Sequence, residues 1–183
     1  MHWLNFKRYK SDVAKQAVPP HLNAAEFARH YADKPQTDTE EYLSLSGEMC
    51  WDAVVLCAHR SGALSKAKYK QLWQTVFDKQ YKHFVSPDDT EIRTMADMLR
   101  APQGCFIGIF SLRDAAAPRL LHAMIGTGAG FAAGNKNLCI GVGRAVGWEN
   151  LNLARDLRWQ PEGGFLRQGD NEVLRIFYRP FPA

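Results

Sequence analysis

Two residues in this chain pair a reactive side chain with a telling position. Cys50 opens an apolar helical stretch in SLSGEMCWDAVVLCAHRSG, residues 44–62. A thiol in the first turn of a helix feels the partial positive charge of the unpaired N–H groups. This favours thiolate and, with a cationic neighbour, lowers a thiol pKa from about 8.5 into the range of about 3.5–7.5. The same N–H groups can stabilise a developing oxyanion. His122 interrupts the apolar run RLLHAMIG, residues 119–126. Strand alternation there puts Leu120, His122 and Met124 on one face and Leu121, Ala123 and Ile125 on the other. Thiol and imidazole together make a nucleophile and its general base, the two parts that acyl transfer needs.

The other five histidines serve less well. His2, His21 and His30 lie in the N-terminal segment and His83 near the end of a basic helix. His59 shares the helix of Cys50 but is about 13 Å away along the axis at 1.5 Å per residue, too far to activate the thiol. A third group should orient the imidazole through its other ring nitrogen. In GTGAGFAAGNKNLCIG, residues 126–141, a hairpin would bring Asn135 or Asn137 back beside His122. Asp156 is a further candidate, recommended by its charge alone.

These residues need elements to hold them. Cys50, Ala53, Val54, Cys57 and Ala58 recur at helical spacing, with Ser46 and Gly47 as cap positions and Gly62 as a stop. A shorter helix is expected after Asn23, then a polar loop in DKPQTDTEEY. Further helices are expected over residues 66–84 and 88–99, the second capped from Ser86. Beyond residue 104 the pattern changes to short strands at residues 105–112, 119–126, 138–142 and 172–178. Helices first and strands later predict one α+β domain over residues 1–183. Its helical part, about 1–100, packs mainly on one side of an antiparallel sheet formed by about 104–180.

Composition narrows the function. The 183 residues are 46% hydrophobic and 23% charged, with a net charge of +4, which suits a globular domain with a proper core. No run of about 18 apolar residues occurs, and the basic N-terminus lacks an apolar stretch behind it. No membrane span or cleavable signal peptide is expected, and the chain is made in the cytoplasm. The basic cluster at residues 66–82 reads as a solvated helix face, so no nucleic-acid partner is expected. The four cysteines, Cys50, Cys57, Cys105 and Cys139, form no CxxC pair, so neither metal nor other cofactor is implied. Cys57, Cys105 and Cys139 fall in apolar runs and are expected in the core. Gly128-Ala129-Gly130-Phe131-Ala132-Ala133, followed by Glu149, fits the dinucleotide pattern G-x-G-x-x-G/A. Tight hairpins account for its glycines better than a helix would. Trp148, Leu151, Leu153, Leu157 and Trp159 read as core.

The stretches MCWDAVVLCAHRSG and HAMIGTGAGFAAGNKN, about 72 residues apart, resemble the papain-like cysteine amidohydrolases of the NlpC/P60 type and related bacterial effectors, Rho-GTPase deamidases among them. The resemblance spans roughly residues 44–159. The usual DCSG around the nucleophile is absent, and Met49 precedes Cys50. It implies a papain-like fold with Cys50 as nucleophile, His122 as base and Asn135 or Asn137 as orienting group. It also implies amide hydrolysis of a peptide, of peptidoglycan or of a Gln/Asn side chain. A translocated effector or toxin, exported without a cleavable signal and accompanied by an immunity protein or chaperone, is one expectation; a plain cytoplasmic enzyme is another. The rival expectation is a non-enzymatic binding or adaptor protein whose Cys50 and His122 are core residues.

Overall fold

The computed structural model describes residues 20–32, 36–72, 80–114 and 116–180. The N-terminal segment carrying His2, and residues 73–79 of the expected helix 66–84, lie outside them. Helix α1, Pro20–Ala32, includes Asn23 rather than being capped by it. The polar stretch expected as a loop contains the start of a second helix, α2, Glu40–Gly47, where the Thr39 hydroxyl accepts the Tyr42 N–H. Ser46 and Gly47 therefore end α2. Helix α3, Cys50–Arg60, begins behind Met49, which caps it through extended backbone with no side-chain bond. Cys50 is thus its first residue, and the apolar stripe from Trp51 to Ala58 is buried. Gly62, at φ +80°, supplies the left-handed exit, a conformation costly for a residue with a Cβ.

Helix α4, Lys66–Leu72, follows, with a 3-10 turn at Gln80–His83. The helix expected over 88–99 is instead a short strand β1, Thr90–Ile92, and a helix α5, Met95–Arg100. Thr94 and Asp97 form a reciprocal capping box at α5 that fixes its start eight residues beyond Ser86.

The remaining strands are β2 Phe106–Ser111, β3 Arg119–Gly128, β4 Phe131–Asn135, β5 Trp148–Asn152, β6 Arg158–Trp159, β7 Phe165–Leu166 and β8 Val173–Arg179. A short helix α6, Leu153–Asp156, follows β5. The described strands form one antiparallel sheet in the order β5-β4-β3-β2-β8-β7-β6, with β1 also paired to β8. The expected strand 138–142 is instead a 3-10 turn, Asn137–Ile140. Lys136 at φ +52° and Gly141 at φ +88° bracket it, and two left-handed residues so close together break an extended run.

The protein is α+β, but its helices do not cover one face alone. One apolar cluster joins α1, α2 and α3 to Phe106, Phe110, Ala123, Ile125, Ala133 and Trp148. A second, on the other face, joins Ile107, Ile109, Met124 and Ala132 to Met98 of α5, Leu153 of α6 and Ile140. Every residue of β2 is buried as a result, because alternate side chains enter opposite clusters. Trp148, Leu153 and Leu157 are core residues as expected. The Trp148 indole N–H also donates to the Ala28 carbonyl at 2.8 Å and so ties α1 to the sheet. No helix among the described residues is long and apolar enough to cross a membrane.

Candidate active site

Strand β3 carries the site along one edge. Pairing of β3 with β4 ends at Ile125–Ala133, so the edge at Leu121–Ala123 lies beyond that ladder. Two sulfur atoms come to it. Backbone hydrogen bonding at Ala123 and Trp51 favours the Cys50 thiolate, while Cys139 Sγ lies 4.0 Å from the Leu121 carbonyl oxygen. Cys139 is exposed, against its expected place in the core, because the 3-10 turn replaces a buried strand. Cys57 and Cys105 are buried as expected.

A β-bulge adjusts the imidazole. His122 pairs with Ile109 and Leu120 with Phe110, which leaves Leu121 as the extra residue. Leu120 therefore packs with the cluster containing Ala123 and Ile125, and Leu121 with the one containing Met124, the reverse of strict alternation. Cross-strand partners share a face, so the His122 ring leaves β3 on the side of Ile109 and Met124. Cys50 reaches the same backbone from the α3 side. Thiol and ring thus approach β3 from different sides, and no hydrogen bond joins them.

Asn137 is the orienting group. Its Oδ1 lies 2.9 Å from His122 Nε2. Its Nδ2 donates to the Gly134 carbonyl and to Glu149 Oε2, each at 3.0 Å. Both acceptors demand N–H, which fixes the amide and leaves Oδ1 as acceptor. His122 Nε2 must then carry the proton and Nδ1 the lone pair. Burial pushes the ring down to about 4, against the opposing hydrogen bond from Asn137, so it is neutral at pH 7. Nδ1 is buried and has no hydrogen-bond partner, so no hydrogen bond joins it to Cys50. The ring is neutral, with its accepting nitrogen unused.

Glu149 was weighed in the sequence only as the acidic end of a dinucleotide pattern. It instead receives Asn137, the Arg144 N–H at 2.7 Å and Arg144 Nε at 2.8 Å. The glycines of that pattern, Gly128 and Gly130, form the β3–β4 hairpin with Ala129, all at positive φ. Gly143 lets the chain close over this group: a Cβ there would stand 2.7 Å from Glu149 Oε2 and 2.9 Å from Asn137 Cβ.

Asn135 does different work. Its Nδ2 donates to the carbonyls of Leu45 at 2.8 Å and Glu48 at 2.6 Å, anchoring the junction of α2 and α3. It does not touch the imidazole by any hydrogen bond, and its Oδ1 is a second buried atom without a partner. Asp156 pairs with Arg155 at 2.7 Å on α6 and takes no part in the site.

The Cys50 thiol is partly exposed, yet burial of the sulfur raises its pKa, against the depressed value expected at a helix start. The Ala123 and Trp51 backbone bonds and Lys136 lower it, while Asp52 adds to the rise. Among the described residues no group of three or more His, Cys, Asp or Glu side chains could hold a metal ion. No protein-family model matches this chain, no curated protein matches it, and no solved structure matches it.

Proposed function

We propose that the protein is a thiol-dependent amide hydrolase of papain-like architecture. One observation carries this reading: His122 is held by Asn137 in the tautomer that leaves Nδ1 free, on the stretch of β3 to which the helix N-terminus delivers Cys50. The Cys50 thiol gives its proton to Nδ1 through a bridging water at the β3 edge as sulfur bonds to the amide carbonyl carbon. The first-turn N–H groups of α3 receive the oxyanion. Collapse breaks the C–N bond, and the imidazolium returns its proton to the leaving amine. Water, deprotonated by Nδ1, then adds to the thioester and releases the acid and the thiol. Asn137 keeps the ring oriented throughout. The chemistry is the same for a peptide bond, a peptidoglycan cross-link or a Gln/Asn side chain, and all three belong to the substrate class. Delivery into a target cell, with an immunity protein or chaperone, fits such an activity.

A binding or adaptor role is the second reading. It draws on the complete burial of His122 and the missing bond to Cys50. A panel of Gln- and Asn-containing proteins, peptides and peptidoglycan fragments separates the two, read as released ammonia or new termini. Turnover that vanishes in both Cys50→Ala and His122→Gln supports hydrolysis; a wild-type protein no different from Cys50→Ala leaves the binding role.

A further inference from the structure

We propose that Lys136 is a positioning residue that fixes the helix end presenting Cys50 and supplies the positive charge favouring its thiolate. The inference rests on the thiol reading above and adds a residue to it. Lys136 stands between Asn135 and Asn137 with left-handed backbone at φ +52°. That conformation divides the labour of three successive residues. Asn137 turns to His122, while Asn135 and Lys136 turn to the junction of α2 and α3. Lys136 Nζ donates to the Gly47 carbonyl at 3.0 Å and to the Glu48 carbonyl. Glu48 lies two residues ahead of Cys50. These carbonyls close the C-terminal end of α2, where partial negative charge collects, so a cation is well matched there.

The charge answers a need of this site. An imidazolium commonly holds a catalytic thiolate, but a buried His122 stays neutral at pH 7. The groups around the thiol come from every element that packs on it. Asp52 lies on α3 and Glu48 just before it, Cys139 on the 3-10 turn and Lys136 at the end of β4, while the His122 ring leaves β3 on the other side. Arg167 stands behind Cys139, with its guanidinium engaged by Asp170 and Glu172. Asp52 raises the thiol pKa and Lys136 lowers it. Lys136 is therefore the cation in direct reach of the nucleophile's helix end.

The test is the pH dependence of Cys50 alkylation by iodoacetamide, read by peptide mass spectrometry in the wild type, Lys136→Gln, Lys136→Met and Lys136→Arg. Loss of charge should raise the titration midpoint by a few tenths of a unit and slow alkylation at neutral pH about twofold to threefold, with Arg restoring both. Lys136→Gln keeps N–H donors for the carbonyls, so it separates charge from clamp. A merely structural lysine would lower the melting temperature and leave the midpoint in place, which overturns the assignment. Should neither neutral variant fold, a chain that keeps Lys136 decides. With the opposing carboxylate removed in Asp52→Asn, its midpoint should rise as salt screens Lys136 between about 0.05 and 1 M, and a fixed midpoint counts against Lys136. A shifted midpoint without amide turnover keeps Lys136 and removes the hydrolase; Cys50-dependent turnover with an unmoved midpoint does the reverse.

Discussion

Two polar networks lie behind the strands of this sheet, and they differ in what they leave over. Around Glu172, charges close on one another. Its carboxylate accepts from Ser111, Arg113 lies 3.2 Å away and Arg167 2.7 Å away, while Arg167 also holds Asp170. The Arg167 hydrogen bond pulls the Asp170 carboxyl down to about 2. Around His122, a neutral ring, an amide and one carboxylate form a chain that ends in an unused lone pair at Nδ1. Arg167 joins the two through the Cys139 carbonyl at 3.4 Å. A network whose donors and acceptors all match acts as a strut. One with a buried acceptor left open gives up stability, about 1–3 kcal/mol for such an atom, and keeps a lone pair without a donor.

Mutation should separate the two networks sharply. Cys50→Ala should cut amide turnover by at least about 10⁴-fold, while unfolding in urea shifts little, since a small, partly exposed side chain is lost. Glu172→Ala should do the opposite. Removing the one buried carboxylate of a cluster whose other members reach solvent costs about 2 kcal/mol in urea unfolding, yet turnover per folded molecule should hold. Equal losses of activity in both variants would erase the distinction.

Acid sharpens it from another side. The native ring takes its proton only near pH 4, whereas the unfolded ring does so near 6.5. Between those values the unfolded state binds more protons, so stability falls as pH drops through this window. The total is about 3 kcal/mol, fully lost below pH 4. Urea unfolding across the window should show this slope, and His122→Gln should flatten it. Asn137→Ala should cost about 2 kcal/mol and reduce kcat/KM about 100-fold, because the ring loses both its partner and its fixed tautomer. The smallest expected effect on turnover is at Gly143. Alanine there meets Glu149, Asn137 and Leu151 in a left-handed conformation, so about 2–3 kcal/mol of stability should be lost with only a several-fold drop in kcat.

The sequence made the helix start at Cys50 legible and narrowed the partner of His122 to Asn135, Asn137 or Asp156, all for local reasons. A helical stripe beginning at Cys50 and a glycine hairpin of the right length are both short-range signals. What it hid depends on tertiary direction. Helix α2 starts in a polar stretch with Thr39 as its cap, and only Tyr42 and Leu45 carry its apolar face, too short a stripe to mark a helix. The stretch after Asn137 is apolar enough for a strand, yet left-handed Lys136 and Gly141 make it a 3-10 turn and expose Cys139. The bulge at Leu121 exchanged the faces of two leucines, an outcome set by pairing with β2. Lys136 and Glu149 were missed because their partners, Glu48 and Asn137, are 88 and 12 residues away and meet them only in the folded chain.

The central claim is that His122 serves Cys50 across the edge of β3, and competition between two thiols tests it most directly. Iodoacetamide should be applied near pH 7 to the wild type and to His122→Gln, with the modified peptides of Cys50 and Cys139 quantified against time. Cys139 is the more exposed, but its thiol is pushed up to about 12, chiefly by burial of the sulfur. If the account holds, Cys50 reacts at least about tenfold faster than Cys139 in the wild type and loses that lead in His122→Gln. If Cys139 reacts first, or Cys50 reacts at the same rate with and without His122, the imidazole does not serve the thiol and the two belong to the core.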